Sequence, residues 1–102
     1  VIVRISKGRY PVEIHAEVTA RLDQAGKVLI PAIRRLPGCL GYYAATDELS
    51  STMVNVSMWD TLEHAQAMAT LSEMAALARE FTALGLEFER PIANYSVLWQ
   101  LP

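Results

Sequence analysis

At 102 residues, 52% of them hydrophobic and 20% charged, the chain has the length and apolar content of one compact domain over residues 1–102, and it is too short for two. Nine basic against eleven acidic side chains leave a net charge of -2 with no run of like charge, which argues against nucleic acid as a partner. No apolar stretch approaches the roughly 20 residues needed to span a bilayer, and no basic segment precedes an apolar block near Val1, so no membrane partner and a cytoplasmic location are expected. The single cysteine, Cys39, has no partner for an internal disulfide, and with two scattered histidines it offers no metal-ligand spacing.

The opening Val1-Ile2-Val3-Arg4-Ile5-Ser6 is β-branched and partly alternating and reads as a strand, with Gly8 and Pro11 marking its end. From Val12 to Leu36, the residues Val18, Leu22, Ala25, Leu29, Ala32 and Leu36 recur at steps of four and three, which lays them along one stripe of a long amphipathic helix. Pro31 removes one donor and crowds the carbonyl four residues earlier, so a kink or break is expected near Val28 and Leu29, and Leu36-Pro37-Gly38 stops the helix. Cys39 to Thr46, rich in tyrosine and small apolar residues, and Met53 to Trp59 read as two strands joined as a hairpin through the polar Asp47 to Thr52. Asp60 stands as an N-cap, with Glu63 three residues on to close a capping box, so a helix starts at about Thr61.

Between Thr61 and Leu84 the apolar residues change sides. At about 100° per residue, Leu62, Ala65, Met68 and Ala69 share one face, whereas Met74, Leu77, Ala78, Phe81 and Leu84 cluster on the opposite one. No straight helix buries both sets. The chain is therefore expected to turn at Ser72, with Met74, Leu77 and Phe81 buried against different neighbours from Leu62 and Ala65, and to stop at Gly85. Pro91 then precedes a last strand over Ile92 to Trp99.

Strand, helix, strand, strand, helix, strand is the order of the ferredoxin-like split βαβ unit, an α+β fold whose helices cover one face of a four-stranded antiparallel sheet. In the third strand Met53, Asn55, Ser57 and Trp59 alternate with Val54, Val56 and Met58, so neither face is plainly built for water. Helices can cover only one of them. Association of two copies through their uncovered faces removes the apolar patch, and a homodimer is expected.

A long helix ending in Leu36-Pro37-Gly38, a tyrosine-containing second strand, and Ser57-Met58-Trp59-Asp60-Thr61-Leu62-Glu63-His64-Ala65 entering a helix resemble, over nearly the whole chain, the antibiotic biosynthesis monooxygenase-like family of the dimeric α+β barrel superfamily. The resemblance implies a dimeric α+β barrel with a pocket between the sheet and the helices of each subunit. Members that oxidise aromatic polyketides do so without metal, flavin or haem, so no cofactor is implied. Asn55 and Trp59 match an asparagine and a tryptophan four residues apart on one strand of cofactor-free relatives, and the strand period puts both on one face, roughly 13 Å apart. The resemblance implies that Asn55 orients a substrate oxygen and that the Trp59 indole N–H stabilises an oxyanion; packing and backbone hydrogen bonding are the plain alternatives for the pair.

Arg79 falls where those relatives carry a pocket arginine, although its place opposite the Met74, Leu77 and Phe81 stripe points it to solvent. The tyrosine expected after Trp59 would fall at Ala65, so its role is absent or passes to Tyr42, Tyr43 or Tyr95, with Tyr43 the substrate-binding candidate. The helical histidine of haem-degrading relatives would fall at Ala69, and haem ligation is not expected. His15, one turn ahead of the first helical stripe, is a second substrate-binding candidate that can face the pocket rim and act as a base near neutral pH, or else hydrogen-bond at the helix start. The expected activity is cofactor-independent monooxygenation of an aromatic or polycyclic phenol, with a small apolar or aromatic molecule as partner. The alternative is a non-catalytic ligand-binding or interaction dimer of the same fold.

Overall fold

The computed structural model describes residues 1–102 and opens on β1, Ile2–Arg9. The strand runs through Gly8 rather than ending there. A Cβ at Gly8 would collide with the Leu86 side chain, so this glycine serves close packing inside the strand. A single 3₁₀ turn, Val12–Ile14, leads into α1, His15–Arg34, which buries Val18, Leu22, Leu29 and Ala32 of the expected stripe. The expected break at Pro31 does not occur: α1 is continuous to Arg34. Pro31 and Lys27, whose carbonyl loses its donor, both lie on the exposed side, where water can replace the missing N–H.

β2, Cys39–Asp47, and β3, Thr52–Trp59, form the expected hairpin. Asp47 Oδ2 accepts from the Ser50 N–H at 3.1 Å and closes the turn, and a register shift between Cys39 and Gly41 leaves Leu40 as an extra residue near the start of β2. α2 is short, Leu62–Gln66, and its cap is Thr61, not Asp60: Thr61 Oγ1 accepts from the His64 N–H at 3.1 Å. Asp60 instead shares a 2.6 Å hydrogen bond with His64 Nδ1. That pair packs onto Gly38, whose φ of +83° and lack of room for a Cβ both require glycine, so the stop of α1 is also a contact with the start of α2.

A 3₁₀ turn, Ala67–Thr70, and an extended Leu71 then separate α2 from α3, Ser72–Leu84. The change of direction thus falls one residue before Ser72. The Ser72 hydroxyl does not cap the helix but donates to Glu73 Oε1 at 3.1 Å, and Gly85, at φ +114°, ends α3. The two apolar sets are only partly separated. Phe81 joins Tyr10, Val18, Leu22, Met53 and Leu86, whereas Met74 packs against the cluster of Leu29, Ile33, Trp59, Ala65 and Met68, and Leu77 borders both clusters.

An additional, unexpected strand, β4, Glu87–Phe88, precedes the expected last strand, which is shorter, β5, Ala93–Ser96, with Val97 to Trp99 outside it; the two pair antiparallel with the two ends of β1. Pro91 lies between them and has no N–H to offer the ladder. The sheet order is β2-β3-β1-β4, with β5 also beside β1: a ferredoxin-like antiparallel sheet of five strands instead of four. Met53, Asn55, Ser57 and Trp59 point under the helices and are all buried. On the other face Val3, Ile5, Val54, Val56 and Met58 are half-buried, and Tyr43 and Tyr95 stand exposed beside them. No helix is long and apolar enough to cross a membrane.

Candidate functional site

Strand register builds a polar row across the helix-covered face. Tyr42 of β2 lies opposite Ser57 of β3, Ser57 opposite Arg4 of β1, and Arg4 opposite Asn94 of β5; in the next row on the same face Ala44, Asn55 and Ser6 are aligned. Arg4, Ser6, Asn55 and Ser57 are therefore buried where an ordinary sheet would place aliphatic side chains.

The room they face is a cavity of about 410 Å³ between the sheet and α3. Arg4, Ser6 and Asn55 form its sheet wall, Met74, Ala78 and Arg79 its helical wall, and Arg90 and Ile92 close it from the segment between β4 and β5. A second cavity of about 620 Å³ lies between β2 and α1, with Tyr42 in its wall. Asn55 belongs to both, and its Oδ1 is closed off from solvent without a hydrogen-bond partner, as is the Tyr42 hydroxyl. An acceptor left in that state costs roughly 1–3 kcal/mol.

The cavity under α3 is electropositive. No Asp, Glu or His side chain lines it, whereas Arg4, Arg79 and Arg90 do. Arg4 is 8% exposed and makes neither an ion pair nor a side-chain hydrogen bond within the chain. Burial lowers its affinity for its proton, opposed by Tyr42 and assisted by the positive charge of Arg90, yet a guanidinium stays charged at neutral pH. Arg90 is held in place by its guanidinium lying 4.9 Å from the centre of the Phe88 ring. The Tyr42 phenol is pushed up to about 12, by burial first and against the influence of Arg4, so it remains a neutral hydroxyl.

Of the residues singled out in the sequence, Asn55 and Arg79 come together at this cavity, Asn55 in its floor and Arg79 on an exposed stretch of α3 at its edge. Trp59 shares the face of Asn55, as the strand period requires, but its ring is 0% exposed among Leu29, Ile33, Ala65 and Met68, and its indole N–H donates to Ser57 Oγ at 2.8 Å. The donor assigned to an oxyanion is thus already engaged, and Trp59 lines neither cavity. His15 also stands apart: it shares a 2.7 Å hydrogen bond with the Tyr10 hydroxyl and stacks on that ring at the start of α1. Tyr43 lies opposite Val56 on the uncovered face and is 68% exposed, so the tyrosine of the helix-covered face is its neighbour Tyr42.

Sequence reasoning missed Arg4, Ser6 and Arg90. The signal for the first two was present, since Arg4 and Ser6 break the apolar alternation of β1 on the face they share with Asn55; Arg90 lies in a connection whose path only the fold sets. The donor set of the cavity under α3 does not suit an iron-bound haem. Ala69 lines the cavity, no imidazole, thiolate or phenol does, and both histidines are engaged elsewhere, with Tyr10 and with Asp60.

Neither a protein-family model nor a curated protein matches the sequence. Solved structures do match the fold. A candidate antibiotic biosynthesis monooxygenase from Deinococcus radiodurans is 19% identical with a TM-score of 0.74, covering 100% of this chain and 97% of that one. A second, from Nitrosomonas europaea, is 16% identical with a TM-score of 0.71 over 97% of this chain and 100% of its own. The haem degrader MhuD of Mycobacterium tuberculosis, solved with two haems in its active site, is 19% identical with a TM-score of 0.66 over all of both chains. In sheet order, helix placement and extent, the chain has the fold of the antibiotic biosynthesis monooxygenase-like proteins that its Leu-Pro-Gly and Trp-Asp-Thr-Leu-Glu motifs resemble.

Proposed function

We propose that the protein is an oxygenase-type enzyme that holds an aromatic phenol in the cavity under α3 and oxidises it with dioxygen without a bound cofactor. The observation that carries this is Asn55, buried, with an unpartnered acceptor, in the wall of an otherwise largely apolar cavity. The amide N–H of Asn55 is a donor for the phenol oxygen before and after it ionises, and the apolar walls take the rings. The phenol proton departs to water, since no carboxylate or imidazole lines the cavity, and the positive side chains favour the anion left behind. That anion passes an electron to dioxygen; overall, a phenol with one ring C–H oxidised to C=O consumes one O₂ and releases one H₂O with its quinone. Convergent polar groups in the cavity favour this reading over a ligand-binding module lined only by apolar side chains.

An oxygen electrode with mono-, bi- and tricyclic phenols tests it. Uptake above background with one O₂ consumed per quinone formed is the expected result. No catalysed uptake with any phenol of the panel would leave the ligand-binding dimer as the better account.

Self-association through the uncovered sheet face belongs to the same proposal, because Tyr43, Tyr95 and the half-buried Val54 and Val56 form an apolar surface with no helix over it. Light scattering at micromolar concentration is expected to give twice 11.3 kDa, and Val56→Glu to shift the mass toward the monomer. A parent mass of 11.3 kDa would refute it.

A further inference from the structure

Burying an arginine without a counter-charge is costly, and a chain that needed only packing at position 4 would carry an aliphatic residue there. Arg4 is nine-tenths buried, has no acceptor from its own chain, and forms part of the wall of the cavity under α3. Arg90 lies in the same wall, fixed by Phe88, and no acidic side chain offsets either charge there. A neutral phenol would leave the buried Arg4 guanidinium unanswered; Arg90 is exposed, and its Nη1 donates to the Glu89 carbonyl at 3.2 Å. A planar, two-oxygen anion matches the guanidinium fork and is charged before it binds.

We infer that the cavity under α3 recognises aromatic carboxylic acids, with the carboxylate taken by Arg4 and Arg90 and the ring system by the apolar wall of α3. This rests on reading the cavity as the substrate site and narrows the substrate to a phenol that also carries a carboxylate.

The test is calorimetric binding of 2-naphthoate and its neutral isostere 2-naphthamide to the parent protein, Arg4→Met and Arg4→Lys. A charge-assisted hydrogen-bonded pair predicts that the parent binds naphthoate about ten- to a hundredfold more tightly than naphthamide. Arg4→Met removes the preference, Arg4→Lys keeps part of it, and the unliganded Arg4→Met protein melts at or above the parent temperature because an unpaired buried charge has been replaced by an apolar chain of similar length. Equal affinity for the two probes, no saturable binding of naphthoate, or a preference that survives Arg4→Met would each overturn the inference. The comparison of probes on the parent stands even where a variant does not fold. Oxygen uptake with uncharged phenols alongside equal probe affinities would refute the acid site and leave the oxygenase standing; tight naphthoate binding without oxygen uptake with any phenol would do the reverse.

Discussion

Asn55→Ala is expected to lower turnover by about a hundredfold to a thousandfold while leaving the melting temperature close to that of the parent. The size follows from removing the amide N–H donor that faces the developing negative charge in a site shielded from water, which costs roughly 2.7 to 4 kcal/mol of transition-state stabilisation. The small effect on stability follows from the unpartnered Oδ1, because truncation there breaks no hydrogen bond through that atom. Oxygen consumption at saturating phenol, with a thermal melt beside it, separates the two quantities. Unchanged turnover would return Asn55 to a structural role, and a large fall in melting temperature would mean that the amide holds the sheet together in some other way.

Trp59→Ala is expected to act in the opposite sense, through the fold and not the chemistry. The indole is wholly buried in the cluster of Leu29, Ile33, Ala65 and Met68, and its N–H supports Ser57 at 2.8 Å. Emptying such a site costs about 3–5 kcal/mol. For a domain of this size that is a fall in melting temperature on the order of 20 °C, measurable by calorimetry and by urea denaturation followed by circular dichroism. Trp59→Phe keeps most of the bulk and loses the donor to Ser57, so its cost is smaller, about 1–2 kcal/mol. A Trp59→Phe protein with parental stability and a hundredfold loss of turnover would show instead that the indole serves the substrate.

The contrast between these residues shows how the site was legible in part. Asn55 and Trp59 were found together because a strand alternates with period two, and the structure does put them on one face. Periodicity is silent about what a polar atom meets at the far end of its side chain. Ser57 takes the indole N–H, whereas the amide oxygen two residues away meets nothing. Tyr42 and Tyr43 are a sharper case, since adjacent residues on a strand face opposite ways and the bulge at Leu40 lies between the helix stop and both. Choosing between them needed the register of β2 against β3, which the sequence does not state.

What the sequence by itself determined is the order of elements, the amphipathic stripe of α1, the hairpin, the turn between α2 and α3, and the stops at Gly38 and Gly85. All of these follow from local causes: spacing of apolar residues, capping, and glycine at positive φ. Tertiary structure decided the rest. It let α1 run through Pro31 because that side of the helix faces water, added a short strand ahead of Pro91, sent His15 to Tyr10, and brought Arg4 from one end of the chain and Arg90 from the other to a single cavity beside Asn55. Eighty-five residues separate those two arginines, counting the positions between them. Only the antiparallel pairing of β4 and β5 against β1 brings them together, because long-range pairing, unlike local spacing, is set by which faces the whole fold must bury.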